Sequence, residues 1–234
     1  MPENLNGRTS SEWLDLGNKW FKAKDFQRAV ESYEKVVELD PENSVAWSNM
    51  GVACENLGNY EKEVECCEKA IRLDPQDSWA WYNLGIAYGK LGKYQKGIES
   101  YEQAVNIDPC DTTTFFNMGL MYTKIGNYIK AIESWEKVLE INPKDIKMLF
   151  NMALAYTKLA KDKKAIEIYE KIIDVDPENI IARNKIGISY LNLENIKNAI
   201  ENFKIVLKID PKNHMALDYL KRIKQNYKSG NINI

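Results

Sequence analysis

Residues 78–111 read SWAWYNLGIAYGKLGKYQKGIESYEQAVNIDPCD. Trp81, Leu84, Gly85 and Tyr88 fall at i, i+3, i+4 and i+7, so they share one face of a helix, here helix A. A glycine inside a helix costs about 1 kcal/mol against alanine, so Gly85 needs a packing reason. A second helix, B, supplies it: Gly97 and Tyr101 lie one turn apart, a small residue to face Gly85 and a large one to fill the space around it. Gly92 suits the left-handed turn between the helices, and Pro109 stops helix B.

The pattern extends outward in both directions with a period of 34 residues. Pro41, Pro75, Pro109, Pro143, Pro177 and Pro211 keep that spacing without a break. The chain therefore divides into repeats 10–43, 44–77, 78–111, 112–145, 146–179 and 180–213. Position 4 of each reads Trp13, Trp47, Trp81, Phe115, Leu149, Arg183, and position 8 reads Gly17, Gly51, Gly85, Gly119, Ala153, Gly187. Position 24 reads Tyr33, Cys67, Tyr101, Trp135, Tyr169, Phe203. Thr9, Asn43, Asp77, Asp111, Asp145, Asn179 and Asn213 precede successive A helices and are strong N-cap types. Thr9 with Glu12 forms the capping-box pattern.

This pattern resembles the tetratricopeptide repeat family, whose mark is Trp, Leu, Gly and Tyr in helix A, then Ala, an aromatic and Ala in helix B, then Pro. The resemblance covers 10–213 and implies an all-α, right-handed superhelical solenoid of six helix-turn-helix repeats. A capping helix is expected over 214–227, with Met215, Leu217, Leu220 and Ile223 inward. The organisation expected is one solenoid over 9–227, with flexible stretches at 1–8 and 228–234.

Charge and composition narrow the function. The net charge is −2, and a pI near 5.7 is far from the basic footprint of a nucleic-acid binder. The charge is uneven: the six repeats carry −3, −4, −1, 0, 0 and +3, and residues 214–234 carry +3. An acidic start and a basic end favour head-to-tail self-association, the alternative reading of this chain. No apolar run approaches a membrane span. Met-Pro-Glu-Asn-Leu-Asn-Gly-Arg is not a signal peptide, so a cytoplasmic protein with no membrane partner is expected. Cys54, Cys66 and Cys67 lack metal-ligand spacing, and His214 is the single histidine, far away in sequence. They read as buried free thiols, and no metal or cofactor is expected. Glu63 stands where helix B wants a small residue: either it is partly buried and unsatisfied, or the smaller Cys54 and Cys67 make local room for it.

Nothing resembles a catalytic constellation or a phosphate loop, so the chain is read as a non-catalytic scaffold. A second face of helix A carries positions 2, 5, 6 and 9, and in the family this face lines a groove for partner peptides. Position 6 gives Asn49, Asn83, Asn117 and Asn151, carboxamides able to pair with any peptide backbone. Positions 2 and 5 add Trp79, Tyr82, Phe116 and Phe150. Position 9 is Asn18, Val52, Ile86, Leu120, Leu154 and Ile188, so five of the six are aliphatic where family members are typically polar. Trp79, the position-5 aromatics and Ile86, Leu120 and Leu154 are expected to form an apolar anchor for a peptide or helix of a partner protein. The family's clamp for a C-terminal carboxylate is not expected. Leu14, Asn18, Asn49, Trp79 and Asn83 supply its asparagines but not its cations.

Overall fold

A computed structural model describes residues 7–228. The flexible stretches expected at 1–8 and 228–234 fall for the most part outside them. Contacts divide the chain into two compact units, Met1–Ile125 and Gly126–Ile234, and the division falls between the two helices of the fourth repeat. All regular structure among the described residues is helical.

The first unit holds α1 (Ser10–Lys22), α2 (Phe26–Leu39), α3 (Ser44–Asn56), α4 (Tyr60–Leu73), α5 (Ser78–Lys90), α6 (Tyr94–Ile107) and α7 (Thr112–Lys124). Each packs on the next in sequence. Gly85 permits the closest approach: a Cβ built there would lie 2.4 Å from Cε1 of Tyr101. Gly17 stands in the same relation to Tyr33, at 2.5 Å. Where position 24 is Cys67, the built Cβ of Gly51 meets its Sγ only at 3.2 Å.

The second unit holds α8 (Tyr128–Ile141), α9 (Ile146–Lys158), α10 (Asp162–Val175), α11 (Ile180–Asn192), α12 (Ile196–Ile209) and α13 (His214–Lys228). Neighbouring helices again pack pairwise. The last helix is the expected cap, but its contact stripe is shifted. Met215 and Leu217 are exposed, whereas Ala216 and Ile223 are buried and Tyr219 stacks on Phe203 at 5.1 Å.

Ala216 belongs to repeat position 3, outside the stripe of positions 4, 7, 8 and 11. There Ala46, Ala80, Thr114, Met148 and Ala182 are all buried. Ala80 sits in one cluster with Cys67, Ala70 and Ile71 of α4. Helix A thus has two inward stripes, one for its own helix B and one for the preceding repeat.

Caps and turns follow the sequence closely. Thr9 and Glu12 form the reciprocal capping box. Asn43, Asn179 and Asn213 accept from the amides of Ala46, Ala182 and Ala216. Gly58 and Gly92 carry φ of +75° and +72°. The same turn position holds Lys24, Ala160 and Glu194, also at positive φ. The left-handed turn therefore belongs to the repeat whether or not glycine is present. At position 4, Trp47 and Trp81 donate from Nε1 to the carbonyls of Pro41 and Pro75. Arg183, a departure from the family pattern, donates from Nε and Nη2 to the carbonyl of Pro177.

Candidate peptide-binding surface

The polar wiring of this second face of the A helices depends on position 9. In the first repeat that residue is Asn18. Its Oδ1 accepts from the Tyr33 hydroxyl at 2.8 Å and from Asn49 Nδ2 at 3.2 Å. One asparagine thus satisfies a buried tyrosine and ties the position-6 asparagine of the next repeat. Position 9 of the second repeat is Val52, which cannot accept. The next position-6 residue, Asn83, is buried and its Nδ2 has no hydrogen-bond partner. Position 9 of the third repeat is Ile86, and Asn117 donates instead to the Tyr82 hydroxyl at 3.1 Å. The asparagines of the first unit are therefore not equivalent. Asn49 and Asn117 are half-buried and bonded within the chain, and Asn83 is buried.

The aromatics form a continuous set. Trp79 is 55% exposed and stacks on Tyr82, with ring centroids 5.2 Å apart. Tyr82 in turn lies 5.8 Å from Tyr101. Phe116 and Ile86 are half-buried, and Leu120 is exposed. Beside them lies a cavity of about 440 Å³ lined by Ile86, Tyr101, Asn117, Leu120, Met121 and charged Glu55, Lys90 and Lys124. In the second unit Phe150 lies 5.9 Å from Tyr169, at the same two repeat positions as Tyr82 and Tyr101, but edge-on at 64° where that pair is tilted at 35°. Asn151 is half-buried there and Leu154 is exposed.

Two other hollows have a structural origin. One is lined by Leu84, Tyr88, Lys96 and Glu99, the other by Met152, Tyr156, Lys164 and Glu167. These are the same repeat positions in the two units. In each the lysine lies over the tyrosine ring, at 5.5 and 5.6 Å. A feature that returns with the repeat is a packing seam.

Glu63 is fully buried, and neither carboxyl oxygen has a hydrogen-bond partner. Burial pushes its pKa up to about 8, with Glu55 and Cys54 adding to the rise and Lys90 opposing it. Cys54, Cys66 and Cys67 are buried free thiols and Cys110 is exposed. Burial likewise raises the Cys67 thiol. Among the described residues no cluster of three or more His, Cys, Asp or Glu could hold a metal ion. None of their helices is long and apolar enough to cross a membrane.

Tetratricopeptide repeat models match residues 10–43, 44–77, 78–109 and 113–145, and a second such model matches 146–179 and 181–213. The chain belongs to the tetratricopeptide repeat family. Among solved structures it is similar to YrrB, described as a TPR protein with an unusual peptide-binding site. That match has 21% identity and a TM-score of 0.69 over 82% of this chain and 99% of that one. It is also similar to a tetratricopeptide repeat protein of Parabacteroides merdae, with 18% identity and a TM-score of 0.67 over 95% and 87% of the two chains. MamA of Desulfovibrio magneticus RS-1 matches at 24% identity and a TM-score of 0.61 over 73% and 97%. At these identities the likeness concerns the fold. The sequence has no significant match among curated proteins.

Proposed function

We propose that this chain is a non-catalytic scaffold that holds a peptide or helical segment of a partner protein on the inner face of its A helices. Tetratricopeptide repeat proteins bind protein partners in general, and YrrB is described as having a peptide-binding site. The observation that carries the reading here is Trp79. A large aromatic left more than half exposed, stacked on Tyr82 and followed by exposed Leu120, suits burial by a partner. Phe116 extends this surface in the first unit. Asn151, Phe150 and Leu154 offer a second patch of the same kind. The bonds of Asn49 and Asn117 give them a positioning role, leaving backbone recognition to Asn151 in this reading.

The test is affinity capture with wild type and with a variant carrying Trp79→Ala, Tyr82→Ala, Phe116→Ala and Phe150→Ala, matched for helicity. A partner retained by the first and lost by the second is expected. Equal recovery removes the inner face as the site. The charge gradient from acidic first repeats to a basic end supports self-association as a second reading. Sedimentation that shifts with concentration and is suppressed by salt is its expected sign, and a monomer at all salts removes it.

A further inference from the structure

The cavity beside Ile86 has a chemistry that defines its occupant more closely than an apolar patch does. Tyr101 is 2% exposed and lines it. The equivalent Tyr33 donates its hydroxyl to Asn18. Ile86 stands where that acceptor would be, and the Tyr101 hydroxyl has no hydrogen-bond partner among the described residues. Burial raises the Tyr101 pKa, so the hydroxyl keeps its proton and remains a donor. Lys90 and Lys124, the last residues of α5 and α7, are exposed and line the same cavity. Neither ammonium lies within ion-pair distance of a carboxylate among the described residues. The lining carries two cations and an unused neutral donor against one acid, Glu55, beside the aliphatic Ile86 and Leu120.

We propose, building on the peptide-binding reading, that this cavity receives the side-chain carboxylate of an aspartate or glutamate within the partner segment. Lys90, Lys124 and Tyr101 supply its donors, and an adjacent aliphatic residue of the segment packs on Ile86 and Leu120. Charge complementarity selects the acid: a basic residue would face two like charges, and a neutral one would leave the donors unused.

The full chain, immobilised, is selected against nine-residue peptides displayed between constant flanks, so that neither terminus is free. The expected motif places Asp or Glu beside Leu, Ile, Val or Met. Lys90→Met with Lys124→Met removes that acid preference, while Lys22→Met with Lys158→Met, at the same helix position in other repeats, keeps it. A selected peptide loses roughly tenfold or more in affinity in the first double variant. It loses about threefold to tenfold in Tyr101→Phe, which preserves the ring packed against Gly85. Circular dichroism and thermal unfolding verify that each variant is folded.

A motif without an acid, or an acid preference unchanged in Lys90→Met with Lys124→Met, overturns the inference. So does an acid recovered only from a parallel library with free C-termini. In all three cases, loss of binding on Trp79→Ala leaves the peptide-binding reading standing. No enriched motif from either library overturns both.

Discussion

Glu63 is the residue whose environment departs furthest from the repeat. Helix B carries Ala29, Gly97, Ala131, Ala165 and Ala199 at the same place. Cys54 and Cys67 stand in place of the usual aromatics close enough to act on its charge, and its oxygens have no hydrogen-bond partner. The sequence posed two alternatives, a partly buried and unsatisfied acid or one given room by the cysteines; the structure buries the carboxyl fully and leaves both oxygens unpartnered. The consequence is a pH dependence. The folded pKa of about 8 lies above the ordinary 4.5. The neutral acid is therefore favoured in the folded state, and its contribution is fully present below pH 4.5. It declines by about 1.4 kcal/mol per pH unit as pH rises toward 8 and is gone above that. Glu63→Gln keeps the volume and cannot ionise. Denaturant unfolding between pH 5 and 9 should show a falling midpoint for wild type that is largely absent in Glu63→Gln. Parallel curves would mean that the carboxyl reaches water.

At the scale of the element, turns and caps set the small differences among repeats. Lys24, Ala160 and Glu194 occupy a left-handed backbone at φ of 61°, 53° and 57°. A side chain there costs about 1–2 kcal/mol, partly offset by the greater unfolded-state freedom of glycine. Replacing all three by glycine should raise stability by roughly 1–3 kcal/mol in total, read as a higher denaturation midpoint with an unchanged slope. Helix B has its own caps. Asp25, Asn59, Asn127 and Asn195 each accept from an amide of the first turn, whereas Lys93 and Lys161 cannot. Lys93→Asn should add about 1 kcal/mol. The helix pair shows the opposite balance. Gly51→Ala meets Cys67 Sγ only at 3.2 Å and gains helix propensity, so it should be nearly neutral. Gly85→Ala forces its Cβ onto the Tyr101 ring and should cost about 1–3 kcal/mol. Equal effects of the two would show that the ring moves freely.

Across the whole chain, the 34-residue period carried most of the architecture, because each feature that defines a repeat is local: a proline stop, a cap, a small residue opposite a large one. What the period hid were relations among three residues. Position 9 reads as aliphatic from the sequence. That Ile86 also leaves Tyr101 without the acceptor that Tyr33 has, and that Val52 stands where Asn83 would find one, appears only when two repeats are set side by side. Position 10 gives little pattern in the sequence because alanine is a weak signal, although Ala53 and Ala87 there are as buried as any aromatic. Arg183 stands where the first three repeats have tryptophan and makes the same kind of bond to the proline carbonyl. The same locality predicts how damage spreads. Repeats contact their neighbours, so destabilisation should decay with distance along the chain. Gly85→Val wedges α5 from α6 at a site that packs onward to α4 and α7. Hydrogen exchange should then lose protection first in α4–α7, while α12 and α13 keep wild-type protection until global unfolding. Uniform loss over all helices would instead make the chain a single cooperative unit, and the nearest-neighbour description would have to be abandoned.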